Sequence, residues 1–137
     1  MIVSLIVIDK VSSSLLQKLI SEYEDRLKHY CRFELITIIM PKNVRYKSIE
    51  EQLKEEQAAI LKQLKPNDYV VLLDEKGKEM CSIEFSNWLN KSLIRGQRIV
   101  FVTGGPYGFS RDIKQQYSEK ISLSKMTFSH EMVRLIF

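Results

Sequence analysis

Residues 99–108 read IVFVTGGPYG. An apolar run, Ile99 to Val102, passes through Thr103 into three of the chain's five glycines, Gly104, Gly105 and Gly108. A short continuous apolar run is what a strand covered on both faces requires, and such strands belong to parallel sheets flanked by helices. Glycines placed straight after it admit positive φ and close approach of backbone to a ligand. Backbone N–H groups in such a corner can hold an anion or the edge of a purine. The corner is not GxGxxG, and no Lys-Ser/Thr follows at P-loop spacing. On turn chemistry alone, a tight strand-to-helix turn explains it equally well.

Similar strand-like segments recur on either side. Residues 2–8 (IVSLIVI), 33–39 (FELITII), 69–73 (YVVLL) and 98–102 read as strands, with a weaker candidate at 119–123. Between them lie helical patterns. Residues 12–30 carry Leu15, Leu19, Tyr23 and Leu27 at spacing four, with Leu16 and Ile20 beside them, and the serines at 12–14 offer an N-cap. Helix 48–65 places Ile49, Leu53, Ile60 and Leu64 on one side and glutamates and lysines elsewhere; Ser48 with Glu51 forms a capping-box pattern, and Pro66-Asn67-Asp68 ends the helix. Asp74 to Lys78 (DEKGK) read as a turn. Helix 82–95 carries Phe85, Trp88, Leu89 and Leu93 and ends at Gly96; Ser110 caps a short helix, and a final apolar segment follows. Strands alternating with helices predict an α/β domain with a mainly parallel sheet. With no repeat, low-complexity tract or linker, residues 1–137 are expected to form one domain.

Composition fits that class. The chain has 137 residues, 45% hydrophobic and 28% charged, with net charge +4 and pI near 9.0. A mildly basic balance permits a polyanionic partner without requiring one. Cys31 and Cys81 form no CxxC, so neither a disulfide framework nor a zinc site is expected, and a reducing cytoplasm suits both as half-buried thiols. The opening MIVSLIVIDK lacks a basic leader and a small-residue cleavage site and reads as a strand. No apolar run approaches membrane-spanning length.

In open parallel sheets, ligands bind beyond the carboxyl ends of the strands. Three segments fall there: Leu73-Asp74 through Gly77, Thr103 through Gly108, and the loop after Ile121. Asp74 could bond a ribose or be a solvated turn residue beside Lys76 and Lys78. His130 and Arg134, one helical turn apart, could grip a phosphate or serve proton transfer, or simply pack. Lys42, Arg45 and Lys47 around Tyr46 could contact phosphates and stack on a base, or form an exposed loop. Met126 could be core filler. No Ser/His/Asp order, metal-ligand cluster or paired-carboxylate signature is present.

Taken together, LDEKGK (73–78), FVTGGPYG (101–108) and ISLSKMTFSHEMVRL (121–135), with EYEDR (22–26) and the KEEQAAIL helix, resemble the ribosomal RNA large subunit methyltransferase H family, of the SPOUT class. LSKMTF followed by His130 and Arg134 is the most specific piece. The resemblance implies a mainly parallel sheet flanked by helices, a C-terminal trefoil knot and a homodimer with the active site near the subunit interface. It implies S-adenosyl-L-methionine as cofactor and methylation at N3 of a pseudouridine in a 23S rRNA stem-loop of the assembled ribosome. Cofactor contacts carried over are Leu73, Gly104, Leu123, Ser124, Lys125, Met126, Thr127 and Phe128, with the glycines letting backbone pack against the cofactor. His130 is the candidate base, Arg134 the candidate for orienting phosphate or substrate, and Lys42, Arg45 and Lys47 the candidate rRNA contacts. No metal or membrane is implied. Ser129 stands where the family pattern has proline, and that pattern continues past Phe137 with a further helix and an aromatic-histidine tail. A form without that segment would be a catalytically silent SPOUT-like cofactor- or RNA-binding protein. Apart from the resemblance, a flavodoxin-like module holding a phosphate at GGPYG is the competing reading.

Overall fold

Successive side chains of a strand point to opposite faces, and β1 (Ile2–Ile8) uses both: Ile6 and Ile8 join one apolar cluster, Val3, Leu5 and Val7 the other. The computed structural model describes residues 2–137. Its single sheet adds β2 (Arg32–Ile38), β3 (Tyr69–Glu79), β4 (Ile99–Thr103) and β5 (Lys120–Ser122) in the order β2-β1-β4-β3-β5, every neighbouring pair parallel. β4 sits at the centre and is buried throughout, as its apolar sequence requires.

Two helices cover one face and three the other. α2 (Ile49–Gln63) and α4 (Arg111–Gln116) send Ile60 and Ile113 onto Ile6, Leu72, Val100 and Val102. On the opposite face Phe85, Trp88 and Leu89 of α3 (Ser82–Leu93) pack on the cluster around Phe101. The Trp88 ring meets Phe101 edge-on at 6.0 Å, and Phe137, after α5 (Met132–Ile136), stacks obliquely on Phe101 at 4.7 Å. Each such burial contributes roughly 1.5–3 kcal/mol per large apolar side chain. Three serine caps start their helices where the sequence places them. Ser13, Ser48 and Ser110 accept from the N–H groups of Leu16, Glu51 and Ile113. Gly96, at φ 72°, ends the α3 segment in the left-handed region that favours glycine.

Two expectations need correction. The stripe Leu15, Leu19, Tyr23 of α1 (Ser14–Leu27) does not face the core; Leu15 is 73% exposed, and the helix buries Ile20 instead. Asp74 to Lys78 do not turn the chain back. β3 continues to Glu79 and pairs with β5 twice: Leu73 and then Lys78 both face Ile121, and Asp74 to Gly77 bulge out of the ladder between them. A Cβ at Gly77 would lie 2.7 Å from the backbone of Ile121, so only glycine lets the strand return so close to β5.

The amino end of the sheet is closed by a polar network. Arg98 donates from Nε and Nη2 to the two oxygens of Asp68 at 2.9 and 2.6 Å and reaches within 3.7 Å of Glu34, which accepts from the buried Ser4 hydroxyl. Burial opposes ionisation of Asp68, but the bonds from Arg98 and the Lys65 N–H hold its carboxyl below the usual range. Arg98→Met should leave Asp68 an unpaired buried charge and cost about 3 kcal/mol in urea unfolding, and the loss should shrink at low pH, where Asp68 protonates.

Candidate active site

A bulge inside β3 and the loops that leave the carboxyl ends of β4 and β5 converge. The bulge after Leu73 carries Asp74, Glu75 and Lys76 to one wall of a cavity of about 580 Å³. Thr103 through Phe109 form a second wall. Leu123, Ser124, Met126, Thr127 and Phe128 form the third, with His130 and Val133 behind them. A hydrogen bond of 2.6 Å from the Thr127 hydroxyl to Glu75 ties the first wall to the third. The Ser124 hydroxyl accepts from the Met126 N–H and Ser129 from Met132 N–H, which shapes this loop without regular structure. Met126 is 76% exposed at the cavity rather than packed in the core.

The glycine corner is shaped first by its own chain. Gly105 and Gly108 form a small antiparallel bridge, with Gly108 N–H donating to Gly105 O at 3.0 Å. A Cβ at Gly104 would lie 2.5 Å from the Gly108 carbonyl oxygen, and one at Gly105 would lie 2.5 Å from Glu56 Oε2. Gly108 has φ 76°. The corner therefore folds on itself and on α2, and these contacts alone account for its three glycines.

Glu56 is the buried group that the sequence reading passed over. It is 7% exposed, packed under Gly105 and near the Asp9 carboxylate. Burial, and secondarily the Asp9 charge, push its carboxyl up to about 7. Its position was legible: 49, 53, 56, 60 and 64 share one helical face.

The C-terminal segment is clamped to the loop after β1. Arg134, 6% exposed, donates to Ile8 O at 2.7 Å, Asp9 O at 2.6 Å and His130 O at 3.2 Å. Asp9 itself stands at φ 61°, with its carboxylate accepting from the Met40 N–H. Glu131 accepts from the Ser12 N–H and hydroxyl. His130 therefore reaches the cavity, but the guanidinium of Arg134 faces β1 and is spent on backbone, so it is not free to orient a phosphate there. Lys125 also points elsewhere, exposed and 3.4 Å from Glu79.

The basic loop lies at a different place. Lys42, Arg45 and Lys47 follow β2 on a 3-10 turn, Lys42–Tyr46, at the far edge of the sheet from β5. Lys47 is paired with Glu55, while Lys42 and Arg45 are exposed and Tyr46 is 92% exposed. Cys31 is half-buried, but Cys81 is exposed. Among the described residues no group of three or more His, Cys, Asp or Glu is placed to hold a metal, and no helix is long and apolar enough to cross a membrane.

A five-stranded parallel sheet whose β3 bulge and β4 and β5 ends open on one nucleoside-sized cavity is an α/β protein of the open-sheet kind, in which ligands bind at such ends. Sequence comparison narrows this. The family model described as "Predicted SPOUT methyltransferase" matches residues 1–137. The protein named ribosomal RNA large subunit methyltransferase H from Parabacteroides distasonis is 52% identical over 136 residues, 98% of this chain and 87% of that one. Its namesake from Bacteroides fragilis is 50% identical over 119 residues, 86% of this chain and 76% of the relative. That from Christiangramia forsetii is 44% identical over 138 residues, covering 100% of this chain and 88% of its own. The chain belongs to the SPOUT methyltransferase family.

Two variants probe the site's scaffold. The Glu56 carboxyl is raised in the native state from about 4.5 to about 7. Its neutral form is therefore favoured on folding, and that contribution is lost as pH climbs from 4.5 through 7. Glu56→Gln should gain stability over the parent by on the order of 3 kcal/mol between pH 4.5 and pH 8 in paired denaturation curves. Arg134→Met should strip two strand-end carbonyls of their donor and cost about 2–4 kcal/mol. Limited proteolysis should then cut first near residues 124–129.

Proposed function

We propose that this chain methylates 23S rRNA within the ribosome, at N3 of a pseudouridine, with S-adenosyl-L-methionine as methyl donor. The observation that carries the reading is the convergence of the β3 bulge and the loops after β4 and β5 on one cavity, in a chain of this family. The relatives' name, ribosomal RNA large subunit methyltransferase H, supplies the substrate class.

The cavity suits such a cofactor. It is large enough for a nucleoside with a short tail, and its walls mix apolar side chains with exposed backbone, as cofactor pockets do. Leu73, Leu123, Met126 and Phe128 offer apolar cover for a purine, while the backbone at Gly104 and from Ser124 through Thr127, Lys125 included, offers fixed donors and acceptors. When bound, S-adenosylmethionine supplies an activated sulfonium methyl. The protein's part is alignment of the nucleophile with that methyl, by proximity and orientation. His130, which lines the cavity, is the base that takes the N3 proton in this reading. Arg134 serves by holding the segment that carries His130. Lys42 and Arg45, with the exposed Tyr46 next to Arg45, form an outlying rRNA contact. The reaction belongs in the cytoplasm, where ribosomes are assembled.

The proposal includes the trefoil knot and a homodimer. Exposed apolar groups support the latter: Leu15, Leu19 and Tyr23 on α1, and Met132 and Ile136 on α5. Such a stripe is what a second copy covers in an isologous interface.

Ribosomes lacking the modification, incubated with protein and methyl-labelled S-adenosylmethionine, should gain label at a single 23S rRNA pseudouridine. His130→Ala should lower turnover by about 10²-fold or more while changing cofactor affinity less than twofold. No label in 23S rRNA would sink the enzyme reading, and cofactor binding without transfer would favour the catalytically silent alternative.

A further inference from the structure

The cavity wall carries a pair of opposite charges that methyl transfer does not use. Asp74 comes from the bulge after Leu73 and Lys114 from α4, and both line the cavity. Asp74 Oδ2 and Lys114 Nζ stand 3.9 Å apart, with the Asp74 side chain 11% exposed and that of Lys114 39% exposed. That separation exceeds a hydrogen bond. It contrasts with the Arg98–Asp68 pair at the other end of the sheet, closed at 2.6 Å. Asp74 is nevertheless held in place, because its other oxygen accepts the Lys76 N–H at 3.0 Å.

The remaining charged side chains of the cavity do not duplicate this pair. Glu75 is engaged by the Thr127 hydroxyl, Lys76 is exposed, and His130 lies on the wall formed by the C-terminal loop. A fixed carboxylate beside an unbonded ammonium complements a small zwitterion. An α-amino acid presents an ammonium and a carboxylate on one carbon, and each would find its opposite here through a charge-assisted hydrogen bond.

We propose that Asp74 and Lys114 bind the amino-acid tail of the nucleoside cofactor, Asp74 accepting from its α-ammonium and Lys114 donating to its α-carboxylate. The assignment rests on the cofactor reading above and adds a specificity device to it. Ligands bearing the zwitterionic tail are selected over tailless nucleosides.

The test uses two ligands that share nucleoside and thioether. S-adenosylhomocysteine carries the tail; 5′-methylthioadenosine lacks it. Calorimetry on the full chain should show S-adenosylhomocysteine bound at least about tenfold more tightly. Lys114→Met should erase most of that preference, weakening S-adenosylhomocysteine about tenfold and 5′-methylthioadenosine less than twofold, while Lys114→Arg should keep it. Equal weakening of both ligands in Lys114→Met, or of neither, overturns the assignment. If the parent protein binds both ligands equally, the tail-binding pair fails while the nucleoside cavity stands. If it binds neither, the cofactor reading itself fails.

Discussion

Two carbonyl oxygens at the end of β1 accept hydrogen bonds from one buried guanidinium, and the working end of the molecule is organised around that contact. Desolvation lowers the basicity of Arg134, and the carbonyls of Ile8 and Asp9 replace the water it loses. The helix bearing Arg134 thereby has one seat. Ser129 to Val133 are laid along the cavity, Glu131 meets the start of α1, and Phe137 reaches the central aromatic cluster. The residue suited by its type to grip substrate instead holds backbone, the His130 carbonyl included.

The same region explains why the cavity lies where it does. In this strand order the connections run outward in opposite senses from the parallel neighbours β1 and β4, and open sheets ordinarily receive ligands at that crevice. Here the crevice is filled by protein: Glu56 rises from α2 beneath Gly105, and Arg134 closes the end of β1. The free space is displaced one strand over, to the ends of β4, β3 and β5. The glycine corner forms the boundary between the plugged crevice and the open cavity, which is why its backbone must pack tightly on both Glu56 and itself.

Much of the fold could be read from the chain because its causes are local. Apolar runs named the strands, and the serines at 12–14, 48 and 110 named the helix starts. What escaped depended on distant partners. Asp, Glu, Lys and Gly at 74–77 have poor strand preference, and only β5, more than 40 residues on, draws the chain back into the sheet. Helical spacing placed Leu15 and Leu19 on an apolar stripe but could not tell which stripe the sheet would cover. Of the cavity lining, the segments after Leu73, Thr103 and Ile121 were legible from strand ends and the presence of His130 from motif. Lys114 was not, because nothing in RDIKQQ marks one lysine as facing Asp74 across the cavity. Arg134 was read as orienting phosphate or substrate, since one sequence cannot show two carbonyls 125 and 126 residues away.

The double pairing of β3 with Ile121 gives the bulge a fixed count. Leu73 and Lys78 meet the same residue of β5, so the excursion between them holds four residues and Gly77 must close it. One inserted or deleted residue would shift Lys78 and Glu79 out of step and turn their side chains to the opposite side of the sheet. The length of this cavity wall is thus locked, and divergence among such proteins there should proceed by exchange of side chains, with indels confined to segments such as the turn after β2.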